Sequence, residues 1–197
     1  MARLFIAVEV PPAQAAGLLS TLPAAHGVRA ATPAQVHLTL HFLGDGLGEA
    51  ALDQLDTALE ALRTPAFLLQ AYGTGRFRSG PGSVLWAGLA PGPGLDTLRA
   101  LHAEVGQALA DAAGFLPERR RFHPHVTLAR CKPTVPESAL RAWLDAHRTL
   151  ASAPWRVARL VLFESQLGPQ GPQHLLRLAW PLAAPDPDPD PDPKTGC

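Results

Sequence analysis

The chain has 197 residues, of which 47% are hydrophobic, and its 17 basic and 17 acidic residues give a net charge of zero at pH 7. It has no apolar run near the roughly 20 residues that span a membrane, no pattern of a secretory signal, and no charge excess of the kind that marks a general nucleic-acid binder. What remains is a chain able to bury a substantial core, as one domain or as two small lobes.

The first third of the chain alternates between strand and helix patterns. An alternating run rich in Phe, Ile and Val predicts the first strand, and Pro12 suits the first turn of the helix that follows. Leucines at three- and four-residue steps predict a second, amphipathic helix, which Pro65 stops. The predicted elements are a strand at 3–10, a helix at 12–22, a loop at 23–33, a strand at 35–43 and a helix at 48–63.

The rest of the chain repeats this alternation. A Pro-Gly turn precedes the longest predicted helix, and Gly114 ends it. A second Gly- and Pro-containing turn joins the last two strands as a hairpin. The predicted elements are strands at 66–72 and 84–89 around a Gly-rich loop at 73–80, a turn at 91–94, a helix at 95–113, a basic loop at 117–124, a strand at 125–129, a helix at 136–149, and strands at 155–164 and 174–180.

Together these elements predict an α+β fold. Each half places a helix, a strand and another helix in succession, which we interpret as a weak internal repeat that predicts two lobes related by a pseudo-twofold axis. The folded domain is predicted to span residues 1–182. Beyond it, alternating Pro removes backbone donors and the Asp charges repel, so 183–197 is predicted to be a disordered tail. Without the tail's four Asp and one Lys, 16 basic and 13 acidic residues remain, which suits a small anionic ligand or an RNA end.

Two nearly identical stretches lie 88 residues apart, His37-Leu38-Thr39-Leu40 and His125-Val126-Thr127-Leu128. Side chains of a strand alternate between its faces, so each stretch presents an imidazole and a hydroxyl on one face and apolar side chains on the other. If the two strands lie side by side or face each other across a groove, two His and two Thr converge.

Two imidazoles and two hydroxyls suit the chemistry of a phosphodiester. Opening a ribose 2′,3′-cyclic phosphate needs a base to activate water on one side of phosphorus and an acid to protonate the leaving oxygen on the other. Because histidine titrates near ~6.5, one imidazole can be neutral while its partner carries a proton. Thr39 and Thr127 would donate hydrogen bonds to the non-bridging oxygens. The residues alone leave open which His is the base and which the acid.

The doubled His-x-Thr-x pattern resembles the 2H phosphoesterase superfamily. The wider stretches, residues 36–44 and 122–130, together with the strands at 3–8 and 161–165, resemble its RNA 2′,3′-cyclic phosphodiesterase branch, also called the 2′-5′ RNA ligase family. The resemblance covers the chain up to residue 182. It implies a bilobal fold in which each lobe is an antiparallel sheet with helices on its outer face and the active-site groove lies between the lobes.

The resemblance also implies roles for the motif residues. His125 would be the proton acceptor that activates water, and His37 the proton donor to the departing 3′ oxygen, which leaves a 2′-phosphomonoester. In 2′-5′ ligation the same roles would run in reverse. No cofactor or metal is expected.

Three further residues are candidate substrate contacts. Strand alternation places Arg130 on the face opposite His125, but a strand end can bulge, and the family pattern has an Arg here that resembles a phosphate ligand. Phe42 either stacks a nucleobase or packs in the core, since it lies on the apolar face of its strand. Alternation places His41 on the face of His37, where it would line the groove. His123 is left open.

Other His and Arg residues carry weaker signals. No role is assigned to four histidines without a convergent partner, His26, His102, His147 and His174. Five arginines lie in predicted loops and are interpreted either as solvated or as contacts to the RNA backbone; these are Arg76, Arg78, Arg119, Arg120 and Arg121.

Several functions fit these residues. A metal enzyme could use His37, His41, His123 and His125 as ligands, although no carboxylate or Cys falls in either motif. A binding module would hold an RNA end without turnover, although binding alone would favour Arg or Lys. Reversible, ATP-independent 2′-5′ RNA ligation is the third alternative. The leading prediction is a monomeric cytoplasmic phosphodiesterase acting on RNA 2′,3′-cyclic ends or a related nucleotide, with no membrane partner.

Overall fold

A computed structural model describes residues 3–45, 47–115, 121–168 and 171–184 of the protein. Its strands are β1 (Arg3–Glu9), β2 (Val28–Ala30), β3 (His37–Gly44), β4 (Phe67–Leu69), β5 (Ala71–Ser79), β6 (Gly82–Leu89), β7 (Val126–Cys131), β8 (Trp155–Val157), β9 (Arg159–Gly168) and β10 (Gly171–Pro181). Its α-helices are α1 (Pro12–Leu19), α2 (Glu49–Glu60), α3 (Pro93–Ala113) and α4 (Glu137–Ala146), and a short 3₁₀-helix covers Pro33–Gln35.

The strands form two four-stranded sheets and one two-stranded sheet. The first sheet has the order β10-β9-β1-β3 and the second the order β2-β7-β6-β5, while β4 pairs with β8. Neighbouring strands of all three sheets are antiparallel. Each large sheet therefore contains one motif strand, β3 in the first and β7 in the second, which confirms the predicted α+β class with antiparallel sheets.

The helices are anchored to the sheets by specific contacts. Helix α2 packs against α3 and also reaches β10, where the Trp180 indole N–H donates to the Asp56 carboxylate at 2.7 Å. Helix α3 lies against β3. Helix α4 is tied to β5 by the Arg76 guanidinium, which donates to both Glu137 carboxylate oxygens at 2.7 and 2.6 Å. This ion pair gives Arg76 a structural partner in place of the RNA contact considered above.

One apolar core connects the two large sheets. Ile6 and Leu38 of the first sheet and Leu85 and Leu128 of the second are fully buried in it. Helix α3 buries an apolar stripe in the same core, formed by Leu98, Leu101, Val105 and Leu109. A second, small cluster of Phe5, Ala7 and Val161, with Phe163 against it, lies on the opposite face of the first sheet. That face also carries His37, so the apolar support of the imidazole is separate from the main core.

Two predicted loops are strands in the structure. The segment at 23–33 contains β2, whose hydrogen-bond partner is β7. The Gly-rich segment at 73–80 is most of β5, which pairs with β6. A β-carbon on Gly75 would lie 2.1 Å from the Trp86 ring, so glycine lets that ring lie directly over the strand. The glycine therefore marks a close approach inside a strand and not a loop.

Some predictions lie outside the described residues. They concern the tail beyond residue 184, Arg119 and Arg120 of the basic loop, and residues 169 and 170 of the last hairpin turn. In the part of the chain that the structure describes, no helix is long and apolar enough to cross a membrane.

Candidate active site

The two motif histidines are held by the same hydrogen bond. Nδ1 of His37 lies 2.7 Å from the carbonyl oxygen of Gln35, and Nδ1 of His125 lies 2.7 Å from the carbonyl oxygen of His123. A carbonyl can only accept, so each Nδ1 carries the proton and donates it. In both neutral rings this leaves the lone pair on Nε2, which becomes the atom available for proton transfer.

The strands that carry these rings approach each other. Several Cα pairs of β3 and β7 lie within 8 Å. The rings are close enough for a positive charge on His125 to disfavour protonation of His37. We call the space between the His37 face of the first sheet and the His125 face of the second sheet the groove.

Each motif strand contains a bulge at the same place. In the β1–β3 pair, Ile6 faces His41 and Ala7 faces Thr39, so Leu40 is an extra residue. In the β6–β7 pair, Leu85 faces Ala129 and Trp86 faces Thr127, so Leu128 is the extra residue. Both bulges lie three residues after the motif histidine. A bulge moves the following side chains to the other face of the strand.

The bulge in β3 changes the predicted positions of His41 and Phe42. His41 is 5% exposed and lies on the core side, where its Nε2–H donates to the His102 carbonyl at 2.8 Å. Phe42 is 58% exposed and its ring centroid lies 6.1 Å from that of Phe5 on the groove side. The prediction that His41 lines the groove is therefore wrong, and so is the core alternative for Phe42.

The bulge in β7 brings Arg130 to the groove face, as the bulge in β3 does for Phe42. Ala129 and Cys131 are buried in the core, and Arg130 between them is exposed. Arg130 therefore shares the groove face with Thr127, although simple alternation predicts the opposite face. Phe42 and Arg130 each stand five residues after a motif histidine, so they occupy equivalent positions on the two sides of the groove.

The hydroxyls of Thr39 and Thr127 are available in the groove. Both side chains are partly buried, Thr39 opposite Ala7 and Thr127 opposite Trp86. Among the described residues, neither hydroxyl has a hydrogen-bond partner. They can therefore donate to an anion held between the two imidazoles.

Aromatic rings support each imidazole. His37 stacks on Phe5 with ring centroids 4.7 Å apart and meets His174 edge-on at 5.0 Å. His125 meets Phe77 edge-on at 5.0 Å and lies 6.0 Å from Trp86. These contacts hold the planes of both imidazoles.

Three of these neighbours, His174, Phe77 and Trp86, were not predicted as site residues. His174 faces Ser165 in the β9–β10 register, and this register comes from strand pairing between distant segments. Phe77 lies in the segment predicted as a loop. A two-residue alternation through Gly75, Phe77 and the facing Trp86 is the signal that could have located the last two.

Burial lowers the pKa of the imidazoles. The pKa of His37 falls to about 4, mainly through loss of hydration and further through the nearby His174 and His125, while the hydrogen bond to Gln35 opposes the shift. Burial also lowers the pKa of His125, with a contribution from His123, and that of His174. All three rings are therefore neutral at pH 7 in the free protein, and a bound anion would favour their protonation.

The four-imidazole metal site considered above does not form. His41 faces the core while His37 faces the groove, so the two cannot share a ligand sphere. Within the described ranges, no three His, Cys, Asp or Glu side chains come together as metal ligands. His102 instead stacks between His41 and Phe122, with centroids 4.2 and 3.9 Å away, and so links β3 to the loop before His125.

Comparisons with known proteins match one family. A model of the 2′-5′ RNA ligase superfamily matches residues 10–169. The chain is 34% identical to an RNA 2′,3′-cyclic phosphodiesterase of Aeropyrum pernix over 137 residues, which are 69% of this chain and 76% of that protein. It is 32% identical to an RNA 2′,3′-cyclic phosphodiesterase of Thermus thermophilus over 176 residues, which cover 86% of this chain and 85% of the relative.

A solved structure shows the same fold. The crystal structure of E. coli LigT in its apo form superposes with a TM-score of 0.70 at 22% identity, covering 92% of this chain and 97% of LigT. Both large sheets and their helices thus belong to a known architecture.

Proposed function

Because this chain belongs to the 2′-5′ RNA ligase superfamily, we propose that it is a hydrolase that opens RNA 2′,3′-cyclic phosphodiester ends to 2′-phosphomonoesters. The observation that carries this proposal is the pair of imidazoles oriented by identical Nδ1 hydrogen bonds, with both Nε2 atoms left for proton transfer. Two such groups, one neutral and one protonated, supply the base and the acid that the reaction needs.

The proposed reaction runs in line through phosphorus. Nε2 of His125 takes a proton from water as the water oxygen bonds to phosphorus. The bond from phosphorus to O3′ breaks, and O3′ takes the proton from Nε2 of His37. The product is a 2′-phosphate with a free 3′ hydroxyl, and the two rings regain their starting states by proton exchange with solvent.

The groove residues would hold the phosphate during this reaction. Thr39 and Thr127 donate to the non-bridging oxygens from opposite motif strands, and the Arg130 guanidinium provides a fixed positive charge on the same face as Thr127. The exposed Phe42 ring is placed to stack on a nucleobase. His41 takes no part in substrate contact in this proposal, because its ring is packed against His102.

The lowered imidazole pKa values determine the expected pH dependence. The active free enzyme carries one proton on the pair, and singly protonated molecules exist between the two pKa values, of which the His37 pKa is about 4 and the His125 pKa is below 6.5. Because the pKa of His37 is lowered further, most of these molecules carry the proton on His125, and the productive form with the proton on His37 is a minor fraction that follows the same pH dependence. A plot of kcat/KM against pH should therefore be bell-shaped with both limbs below 6.5. The kcat profile should lie at higher pH, since the anionic substrate raises the pKa of both rings. A flat kcat/KM between pH 5 and 9 would contradict paired histidine catalysis.

A defined substrate tests the function itself. An oligonucleotide ending in a 2′,3′-cyclic phosphate, incubated with the protein and excess EDTA, should yield a 2′-phosphate and no 3′-phosphate. Activity is expected to persist in chelator because the proposed acid and base are both imidazoles. A 3′-phosphate product would mean that O2′, and not O3′, is the leaving oxygen. Binding of the oligonucleotide without turnover would favour the binding module. Activity lost in EDTA and restored by a divalent ion would favour a metal enzyme.

The family name supports a second activity at the same groove. With a 5′ hydroxyl in place of water, the same steps would join a 2′,3′-cyclic end to that hydroxyl in a 2′-5′ linkage without ATP. Nε2 of His125 takes the proton of the 5′ hydroxyl as its oxygen bonds to phosphorus, and O3′ leaves with the proton of His37. The roles of His37 and His125 exchange only when the 2′-5′ linkage is cleaved back to the cyclic end, so the expectation that ligation itself reverses them is wrong. Supplying a second oligonucleotide with a 5′ hydroxyl, at high concentration, would reveal this product beside the hydrolysis product.

We further infer that the enzyme is a cytoplasmic monomer that acts on an RNA end or a related small nucleotide. The Cys131 thiol is free and buried, as is common in a reducing compartment.

A further inference from the structure

A cavity of about 460 Å³ opens beside His37. Its wall is contributed by the end of β1, the start of α1, the 3₁₀-helix, the link between β8 and β9, and β10. The side chains that matter for its chemistry are Glu9, His37, Arg156, Arg159, Phe163 and His174. This volume is within the usual range for small-molecule sites and can hold one nucleoside.

Of the two arginines that line the cavity, one lacks a carboxylate partner within the described part of the chain. The Arg159 guanidinium donates to both carboxylate oxygens of Glu9, at 2.6 and 3.0 Å, so these two charges largely cancel. Arg156 is exposed on β8, and among the described residues it has no carboxylate partner. A guanidinium without a partner at the edge of a cavity is suited to bind a phosphate.

Aromatic rings line the cavity next to the His37 imidazole. Phe163 and His174 lie with ring centroids 6.2 Å apart, and His174 stands edge-on to His37. Nδ1 of His174 is buried and has no hydrogen-bond partner among the described residues. A nucleobase can stack on such aromatic rings and form a hydrogen bond with the nearby polar atom.

The proposed reaction places the substrate's ribose on this side. In an in-line displacement the attacking water and the departing O3′ occupy opposite sides of phosphorus. With water at His125 and O3′ at His37, the ribose that carries O3′ extends from phosphorus toward His37. The cavity is the space next to His37 into which that nucleoside can continue.

We propose that this cavity takes the 3′-terminal nucleoside of an RNA and that Arg156 binds the phosphate on its 5′ oxygen, the phosphate that joins it to the rest of the strand. This inference rests on the proposed function, and specifically on His37 as the group beside the leaving oxygen. Arg156 then distinguishes an RNA end, which has that 5′ phosphate, from a free nucleoside 2′,3′-cyclic phosphate, which lacks it.

A second cavity of the same volume, about 460 Å³, lies on the other side of the groove and provides the comparison. Trp86 and His123 contribute to its wall next to His125, together with Arg99 and Arg121. Arg99 is paired with Asp96 at 3.2 Å, which leaves Arg121 as the equivalent of Arg156. If the base and acid were exchanged, the nucleoside would enter this cavity.

Two small substrates that differ only in the 5′ phosphate measure the proposed contact between Arg156 and that phosphate. One is a nucleoside 2′,3′-cyclic phosphate with a 5′ hydroxyl, and the other is the same compound with a 5′ phosphate. The ratio of their kcat/KM values, phosphorylated over unphosphorylated, should be about ten for the unmodified protein, as expected for one charge-assisted hydrogen bond. Arg156→Gln should bring the ratio to near one, and Arg156→Lys should give an intermediate ratio. High salt should lower the ratio for the unmodified protein.

Matched variants make the result specific. Arg148→Gln removes an exposed arginine that pairs with Asp145 away from both cavities, and its ratio should equal that of the unmodified protein. Three results would overturn the inference. The kcat/KM ratio of the unmodified protein could already be near one, the ratio of the Arg156→Gln variant could stay near ten, or Arg121→Gln could bring the ratio to near one instead. If the unmodified protein hydrolyses an oligonucleotide with a 2′,3′-cyclic end but neither of these compounds, this inference fails and the proposed function stands. If it hydrolyses none of the three, both fail.

Discussion

His37→Ala and His125→Ala are each expected to lower kcat on an RNA 2′,3′-cyclic end by about 10²- to 10⁴-fold, the usual contribution of a positioned general acid or base. Each substitution removes one of the two Nε2 atoms that the structure leaves available for proton transfer. The measurement is single-turnover hydrolysis with saturating enzyme, which reports the chemical step without product release.

The matched control for both variants is His26→Ala. His26 is exposed and lies in the turn before β2, so its removal should leave kcat unchanged. Because His37 also packs on Phe5 and His174, the unfolding midpoint of each variant must be measured as well. A folded His37→Ala or His125→Ala protein with nearly full kcat would contradict the assignment of that histidine.

Arg130→Ala is expected to lower kcat/KM by about 10- to 100-fold, the range for removing a charged hydrogen-bond donor from a phosphate. The bulge at Leu128 places Arg130 on the groove face, next to the proposed phosphate position. Arg130→Lys should recover part of the loss, since an ammonium keeps the charge but not the two-pronged geometry of the guanidinium.

A control for Arg130 is available on another strand. Arg78 lies on β5, and strand alternation puts it on the side opposite Phe77, away from the groove. Arg78→Ala should leave kcat/KM within about twofold, which is within the small effects typical of surface changes. Equal losses in the two variants would indicate a general electrostatic attraction and not a contact between Arg130 and the phosphate.

The sequence was sufficient to predict the two strands that carry the site. It was not sufficient to predict which side chains of those strands face the groove. The apolar alternation through Leu38 and Leu40 located β3, and the duplicated motif located its counterpart β7. The faces of His41, Phe42 and Arg130 depended on a bulge three residues into each motif. A bulge is set by pairing with β1 or β6, and a single strand's sequence contains no record of that partner.

The neighbours of the imidazoles could not be predicted for a related reason. His174 reaches His37 only because β10, β9, β1 and β3 lie in that order in the sheet. Nothing in the local pattern of residues 171–181 identifies which face of β10 is turned to the groove. Long-range strand order, and not local propensity, therefore determines the electrostatic surroundings of His37.

The two motif strands share a bulge three residues after the histidine, so the predicted internal repeat corresponds to the same local structure in both sheets. In both sheets an imidazole, a hydroxyl two residues later and an exposed side chain three residues beyond that face the groove. The third position differs, with Phe42 on one side and Arg130 on the other. One side is thus suited to a base and the other to a phosphate, which turns a symmetric framework into an asymmetric site.

In the proposed mechanism the two imidazoles act together on one phosphorus atom, and the double variant His37→Ala/His125→Ala shows whether they do. Residues that act as a unit have strongly non-additive effects. We expect the rate of single-turnover hydrolysis by the double variant to lie within about tenfold of that of the slower single variant. If the two single losses simply multiply, the histidines act independently, and the proposed paired mechanism is wrong.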